Sequence, residues 1–128
     1  MCFHYSLHTI PCIGFNVKFG GKTLYYSADH CYDPKIIHEL HKRGIIKDGR
    51  RDFLLKFPYD ADYILHEAGP APIHTPLEIL NEMPDEIKDK MYVYHSAKNK
   101  IPTGLKYLSA GVENTIVINV TAPGISFP

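Results

Sequence analysis

The residues of this chain that could do chemistry fall at Tyr25-Tyr26-Ser27-Ala28-Asp29, Leu65-His66-Glu67-Ala68-Gly69, Ile73-His74-Thr75 and Tyr94-His95-Ser96. In order they offer Asp, His-Glu, His and His, each at or just after the end of an apolar, strand-like run. Strand ends on one edge of a sheet are where a fold can converge side chains on a metal or a substrate. A carboxylate at Asp29 could bridge two cations through its two oxygens, or close an Asx turn. His66-Glu67 could be a pair whose carboxylate orients another group, or a buried Glu held by a backbone N–H at a helix entry. His74, in a Pro-rich loop before a helix, could donate a proton to a reacting oxygen, or be an ordinary loop histidine. His95 suits Zn²⁺ as an imidazole ligand, or serves packing. Eight histidines allow many accidental pairings, so order and context carry the argument.

These positions need elements to hold them. Residues 3–9 alternate Phe3, Tyr5 and Leu7 with His4, Ser6 and His8, the period of a half-buried strand, which places His4 and His8 on one face. Ile13–Phe19 alternates again, and Gly20-Gly21 marks a tight hairpin into a third strand over 23–27. Asp33-Pro34 reads as N-cap and first residue of a helix that Gly44 closes. A second helix is expected over 49–56, then a short strand over 61–65 delivering His66 and Glu67. Thr75-Pro76 starts a helix through Asn81, Pro84 another towards Lys90, and Met91–Tyr94 is a strand ending at His95. A turn at Pro102-Thr103-Gly104 precedes a last strand over 115–120. A meander followed by helices alternating with single strands predicts an α/β fold, one mixed β-sheet with helices on its outer face.

Composition narrows the classes. A chain of 128 residues is one domain or part of one, and its 45% hydrophobic content with nine Tyr and six Phe argues against disorder. Fourteen basic side chains balance fourteen acidic ones, so the basic excess expected for a long nucleic acid or anionic membrane is missing. Cys2, Cys12 and Cys31 are odd in number with no Cys-x-x-Cys, which reads as free, buried thiols in a reducing compartment. No signal-peptide pattern and no membrane-length apolar run is evident, so a cytoplasmic location is expected. His38 and His41 lie three apart on the first helix, and Lys47, Arg50 and Arg51 extend a basic surface; a solvated face is the preferred reading over metal or phosphate binding.

Taken together, the segments His8-Thr9-Ile10-Pro11-Cys12-Ile13-Gly14-Phe15, Tyr26-Ser27-Ala28-Asp29, Ala61-Asp62-Tyr63-Ile64-Leu65-His66-Glu67-Ala68, Ile73-His74-Thr75 and Tyr92-Val93-Tyr94-His95-Ser96 resemble the second half of a metallo-β-lactamase-fold hydrolase. The branch they resemble is that of RNase Z and its cyclic-nucleotide phosphodiesterase-like relatives. The resemblance implies half of an αββα sandwich, with residues 1–128 as a C-terminal half-domain. It implies up to two zinc ions, with His8 on the first, Asp29 bridging both and His95 on the second, Glu67 in the outer shell, and His74 assisting phosphodiester cleavage. The family's His-x-His-x-Asp-His motif, which supplies most remaining ligands, is absent from this sequence. Ala28 stands where the family usually has Gly, and His30 where it usually has Thr, as an extra potential ligand or a clash. The long arm that grips tRNA in many RNase Z enzymes is replaced by the two-glycine turn, which favours a small phosphodiester over RNA. A zinc-dependent phosphodiesterase half, inactive alone, is therefore expected; a non-catalytic remnant or interaction module, and a thioester or lactone hydrolase, are the alternatives. The partner would be an N-terminal half-domain or a second copy of the chain, docked on an apolar inner sheet face.

Overall fold

A computed structural model describes residues 1–109 and 115–119 of the chain. Its centre is a six-stranded mixed sheet whose spatial order follows chain order: β1 (Cys2–Tyr5), β2 (Ile13–Phe19), β3 (Lys22–Tyr26), β4 (Tyr63–Glu67), β5 (Met91–Tyr94) and β6 (Lys106–Tyr107). β1, β2 and β3 are antiparallel neighbours, while β3, β4, β5 and β6 run parallel. Gly20 and Gly21, at φ 53° and 76°, make the two-residue turn from β2 to β3. Positive φ at both positions gives the turn whose twist matches the flanking strands, and glycine adopts it without a steric penalty.

Parallel neighbours need crossovers, and helices supply them. α1 (Pro34–Lys42) and α2 (Asp48–Leu55) join β3 to β4; α3 (Leu77–Asn81) and α4 (Asp85–Lys88) join β4 to β5. Asp33 caps α1 through its side chain, accepting from Lys35 N and Ile36 N, with Pro34 in the first turn, as the sequence predicts. The core lies between these helices and one sheet face, where Tyr25, Ile64, Met91 and Val93 meet Leu80, Ile87 and Phe57.

The other face is apolar too. The pairings Phe15↔Tyr26↔Leu65↔Tyr92 and Val17↔Leu24↔Tyr63 put large side chains of neighbouring strands on a common side. Rings of Phe3, Phe15, Tyr26 and Tyr94 follow one another across it at centroid distances of 6.4, 5.1 and 5.5 Å. Phe3, Tyr5, Ile13 and Phe19 are exposed there, and the rest are half-buried. Within the described residues, Ile118 borders a small cavity with Val17, Phe19, Leu24 and Tyr63 on this side.

Several elements depart from the sequence reading. β1 stops at Tyr5, because Ser6 Oγ donates to Asp29 O (2.6 Å) and Leu7 N donates to the His30 ring (3.0 Å), bending the chain out of the ladder. His8 therefore lies in a loop and shares no strand face with His4. β4 runs on through His66 and Glu67, so these are strand residues and not a delivery after it. Thr75 does not cap α3; its hydroxyl bonds elsewhere, and Pro76 stands at the cap. Residues 115–119 are not a strand, and position 120 lies outside the described residues; the sixth strand is Lys106–Tyr107 instead. Of the cysteines, all free, only Cys31 is buried.

His66 is 1% exposed, stacked on Phe57 at 5.6 Å, and donates through Nδ1 to Glu67 O at 2.7 Å. Burial drives its pKa from 6.5 down to about 4, so the folded chain keeps it neutral while the unfolded chain protonates. His30 is displaced in the same direction, again first by burial. Between pH 6.5 and 4 the unfolded state binds more protons, so stability falls as pH drops through that window. From His66 alone, about 2 kcal/mol should be lost between pH 7 and pH 5. Urea unfolding at the two pH values checks this, and His66→Phe should flatten the difference.

Candidate functional site

Because β3, β4 and β5 are parallel, their C-terminal ends share one edge of the sheet. Asp29 follows β3, Glu67 ends β4, and His95 follows β5 directly. His74 arrives from the loop after β4, and His8 from the loop after β1. His8, Asp29, Glu67, His74 and His95 meet at this edge, while His66, also a candidate from the sequence, turns to the helix-covered side. His95 Nδ1 lies 3.6 Å from Asp29 Oδ1 and 3.6 Å from Glu67 Oε2. His74 Nδ1 is 3.2 Å from Glu67 Oε2. The His74 ring sits between those of His95 (4.7 Å) and His8 (5.2 Å).

Glu67 organises the cluster. Its side chain is fully buried, and Oε1 accepts from His30 N (2.9 Å) and Thr75 N (3.2 Å). One oxygen thereby fixes the backbone beside Asp29 and the backbone beside His74, while the other faces the two imidazoles. These bonds match the reading of Glu67 as a buried carboxylate held by backbone N–H groups. Burial pushes its pKa up, the two backbone N–H bonds oppose that shift, and His95 opposes it further. Thr75 adds a second clamp, donating to His30 O and accepting from Tyr32 N, each at 2.7 Å. Gly69 leaves room for His74, since a Cβ there would stand 2.9 Å from the His74 Cβ.

Ala28 adopts φ 54° and His95 φ 69°. Left-handed backbone at a residue with a Cβ costs about 1 kcal/mol, which gives the Gly-to-Ala departure at position 28 a physical meaning. His30 is neither a ligand nor a clash: its Nδ1 accepts from Leu7 N, and its ring packs 5.9 Å from His66 on the helix-covered side.

Two groups in the cluster bring ligand atoms within 4.8 Å of one another: His8, Cys12 and Asp29, and Glu67, His74 and His95. Cys12 is not among the candidates from sequence, where the His8-x-x-x-Cys12 spacing is its one signal. Its Sγ lies 3.7 Å from His8 Nδ1, and burial, then Asp29 and Glu67, push its pKa up. The donor set fits a divalent ion such as zinc, which takes imidazole nitrogen, carboxylate oxygen and sulfur. A structural sign points the same way. His8 Nε2 is buried with no hydrogen-bond partner, and the buried Glu67 Oε2 and His74 Nδ1 approach each other at 3.2 Å without a well-aligned hydrogen bond. Buried polar atoms left unpaired cost about 1–3 kcal/mol each unless a ligand completes them. Asp29 and His95 are more open, with side chains 39% and 46% exposed, so the cluster is reachable from solvent.

The basic surface resolves into structural contacts. Arg50 donates to Tyr5 O (2.8 Å) and Ser6 O (3.1 Å), bracing the loop that carries His8. Arg51 pairs with Asp48 and Asp52, and His41 lies 2.7 Å from Asp48. No helix among the described residues is long and apolar enough to cross a membrane.

No family model matches the chain. Over 120 residues, 92% of its length, it is 45% identical to "cGMP-dependent 3',5'-cGMP phosphodiesterase A" of Dictyostelium discoideum. Over 119 residues it is 40% identical to "cAMP/cGMP-dependent 3',5'-cAMP/cGMP phosphodiesterase B" of the same organism. The chain spans only 14% and 11% of the length of these two relatives.

The Thr75 clamp makes a sharp test of how the site is held. Thr75→Val keeps the volume but leaves Tyr32 N–H and His30 C=O unpaired in the interior, which should cost about 3 kcal/mol. Thr75→Ser should recover most of it. Denaturant midpoints of the two variants measure the difference.

Proposed function

We propose that this chain is the C-terminal half of a metallo-β-lactamase-fold phosphodiesterase domain, zinc-dependent and acting on a 3',5'-cyclic nucleotide. The observation that carries the proposal is the convergence of His8, Asp29, Glu67, His74 and His95 at one sheet edge, with His8 Nε2 buried and without a hydrogen-bond partner. The relatives' names favour a cyclic nucleotide over RNA within the phosphodiester class. The short Gly20-Gly21 turn argues in the same direction.

In this reading His8 and Asp29 would hold a first ion, and Asp29 and His95 would hold a second. Zinc in such a site supplies Lewis acidity and a nucleophile at neutral pH. Glu67 keeps His74 and His95 in place, and His74 donates a proton to the departing oxygen. Two ligands per ion, one of them shared, fall short of the three that catalytic zinc usually takes. The His-x-His-x-Asp-His ligands of a second half would complete the set.

The helix-free face supports the same reading. Tyr63-Ile64-Leu65 and Met91-Tyr92-Val93-Tyr94 are apolar on both sides of the sheet, as parallel strands are when layers cover both faces. A second half-domain packed there would bury Phe15, Val17, Leu24, Tyr26 and Tyr92 and bring its ligands to the same edge.

A second arrangement has its own support: Glu67 Oε2, His74 Nδ1 and His95 Nδ1 form a His₂-Glu donor set within 4.8 Å, a combination that zinc accepts. Zinc binding to the chain combined with an N-terminal half that bears the missing histidines, measured by competition with a chromogenic chelator, separates the readings. The bridged arrangement predicts that Asp29→Ala or His95→Ala abolishes tight uptake while His74→Ala spares it; the alternative predicts that His74→Ala abolishes it. A folded pair that takes up no zinc would overturn both and leave a non-catalytic module of the same fold. The zinc-loaded pair should hydrolyse cyclic GMP, and His74→Ala should lower that rate by about 100-fold.

A further inference from the structure

A second cavity lies on the opposite side of the sheet from the polar cluster. It has a volume of about 290 Å³ and opens between the sheet and α2, at the small end of the range for small-molecule pockets. Rings form most of its wall: Tyr25, Tyr32, Phe53, Phe57, His30 and His66. Several lie nearly parallel, with His66 on Phe57 at 15° and on Tyr25 at 28°. Its mouth carries Lys56 and Asp60, both exposed, and the half-exposed ring of Phe53.

Two of those rings are polar and almost fully buried, His30 at 6% and His66 at 1% exposure. Their hydrogen bonds fix complementary tautomers. His66 Nδ1 faces the Glu67 carbonyl at 2.7 Å and must donate to it, so Nε2 carries the lone pair. His30 Nδ1 accepts from Leu7 N–H at 3.0 Å, so Nε2 carries the hydrogen. The two buried imidazoles therefore offer one acceptor and one donor, set among aromatic faces with a ring separation of 5.9 Å. None of these groups belongs to the cluster proposed to hold metal.

We propose that this cavity is a binding site for a small, neutral, planar heteroaromatic compound, whose ring N–H donates to His66 Nε2 and whose ring acceptor takes the His30 Nε2 hydrogen. Flat rings fill the space between the aromatic walls, and the polar edge sets orientation. Among the described residues Lys56 is the one lysine or arginine that lines the cavity, at the exposed mouth beside Asp60, and burial lowers the pKa of the lining His4, so an anion meets no fixed cation inside. A purely apolar guest would leave both buried imidazole nitrogens unpaired.

Benzimidazole is a suitable probe, with one ring N–H, one ring acceptor and no charge at pH 7.5. Titrated into the 128-residue chain and followed by NMR of the histidine and aromatic ring protons, it should give saturable shifts at His30, His66 and Phe57. A dissociation constant below about 1 mM is expected for a ligand of this size. 1-Methylbenzimidazole, which lacks the donor, should bind at least about tenfold more weakly, because a site built for a hydrogen bond rejects the analogue without it. His66→Phe should weaken benzimidazole by a similar factor, and Phe53→Ala, at the exposed mouth, should weaken both compounds together. Equal binding of the two compounds to the unaltered chain, shifts confined to other residues, or no saturable shift up to millimolar benzimidazole would overturn the proposal. The comparison of the two compounds needs no substitution, so it decides the matter even if His66→Phe unfolds the chain.

Discussion

One buried carboxylate holds the polar edge together. Glu67 uses Oε1 to accept from two backbone N–H groups, at His30 and Thr75, that are 45 residues apart in sequence. Those two bonds pin the segment carrying Asp29 to the segment carrying His74, while Oε2 sits between His74 and His95. A carboxylate taken out of water is stable only where such partners replace its hydration. The same two donors limit how far burial can raise its pKa. Take Glu67 away and the loop backbone loses its acceptor, and the imidazoles lose the group that sets their spacing.

That carboxylate is in position because the sheet is parallel where it matters. Three strands ending on one edge bring residues 29, 67 and 95 together without any local sequence relation among them. The chain turns are then fixed by small devices: Ser27 Oγ accepts from Glu67 N at 3.0 Å, Thr75 ties Tyr32 to His30, and Arg50 braces the end of β1. The parallel arrangement also leaves a second apolar face. Antiparallel β1 and β2 could tolerate a wet face, but the apolar runs of β4 and β5 are patterned for cover on both sides. The proposed half-domain reading would account for the uncovered face and the short ligand set together.

Much of this was legible in the residues. Asp33-Pro34 announced α1, Gly20-Gly21 announced the hairpin, and the apolar runs before Asp29, His66 and His95 announced the strands that position them. The order Asp, His-Glu, His, His contains four of the residues that meet, Asp29, Glu67, His74 and His95; His8 came only with the family resemblance, and His66 turned to the other face. What escaped was set by contacts distant in sequence. β1 ends early because Ser6 and Leu7 find partners at Asp29 and His30, which the Phe3-to-His8 alternation does not reveal. Thr75-Pro76 reads as a helix start, yet Thr75 is a tether, since its hydroxyl meets backbone 45 residues away. Cys12 joined His8 and Asp29 only once the loop after β1 had folded back.

The sequence by itself determined the local elements, the apolar character of both sheet faces and the identity of the side chains available for chemistry, because these follow from periodicity, caps and turns within a few residues. Only the tertiary structure decided which of eight histidines face the carboxylates and which, like His30 and His66, turn to the other side of the sheet. Side-chain direction alternates along a strand, so His66 and Glu67, adjacent in the chain, serve opposite faces. That choice depends on register and on which face the helices cover, and both are settled by packing between segments far apart in the chain.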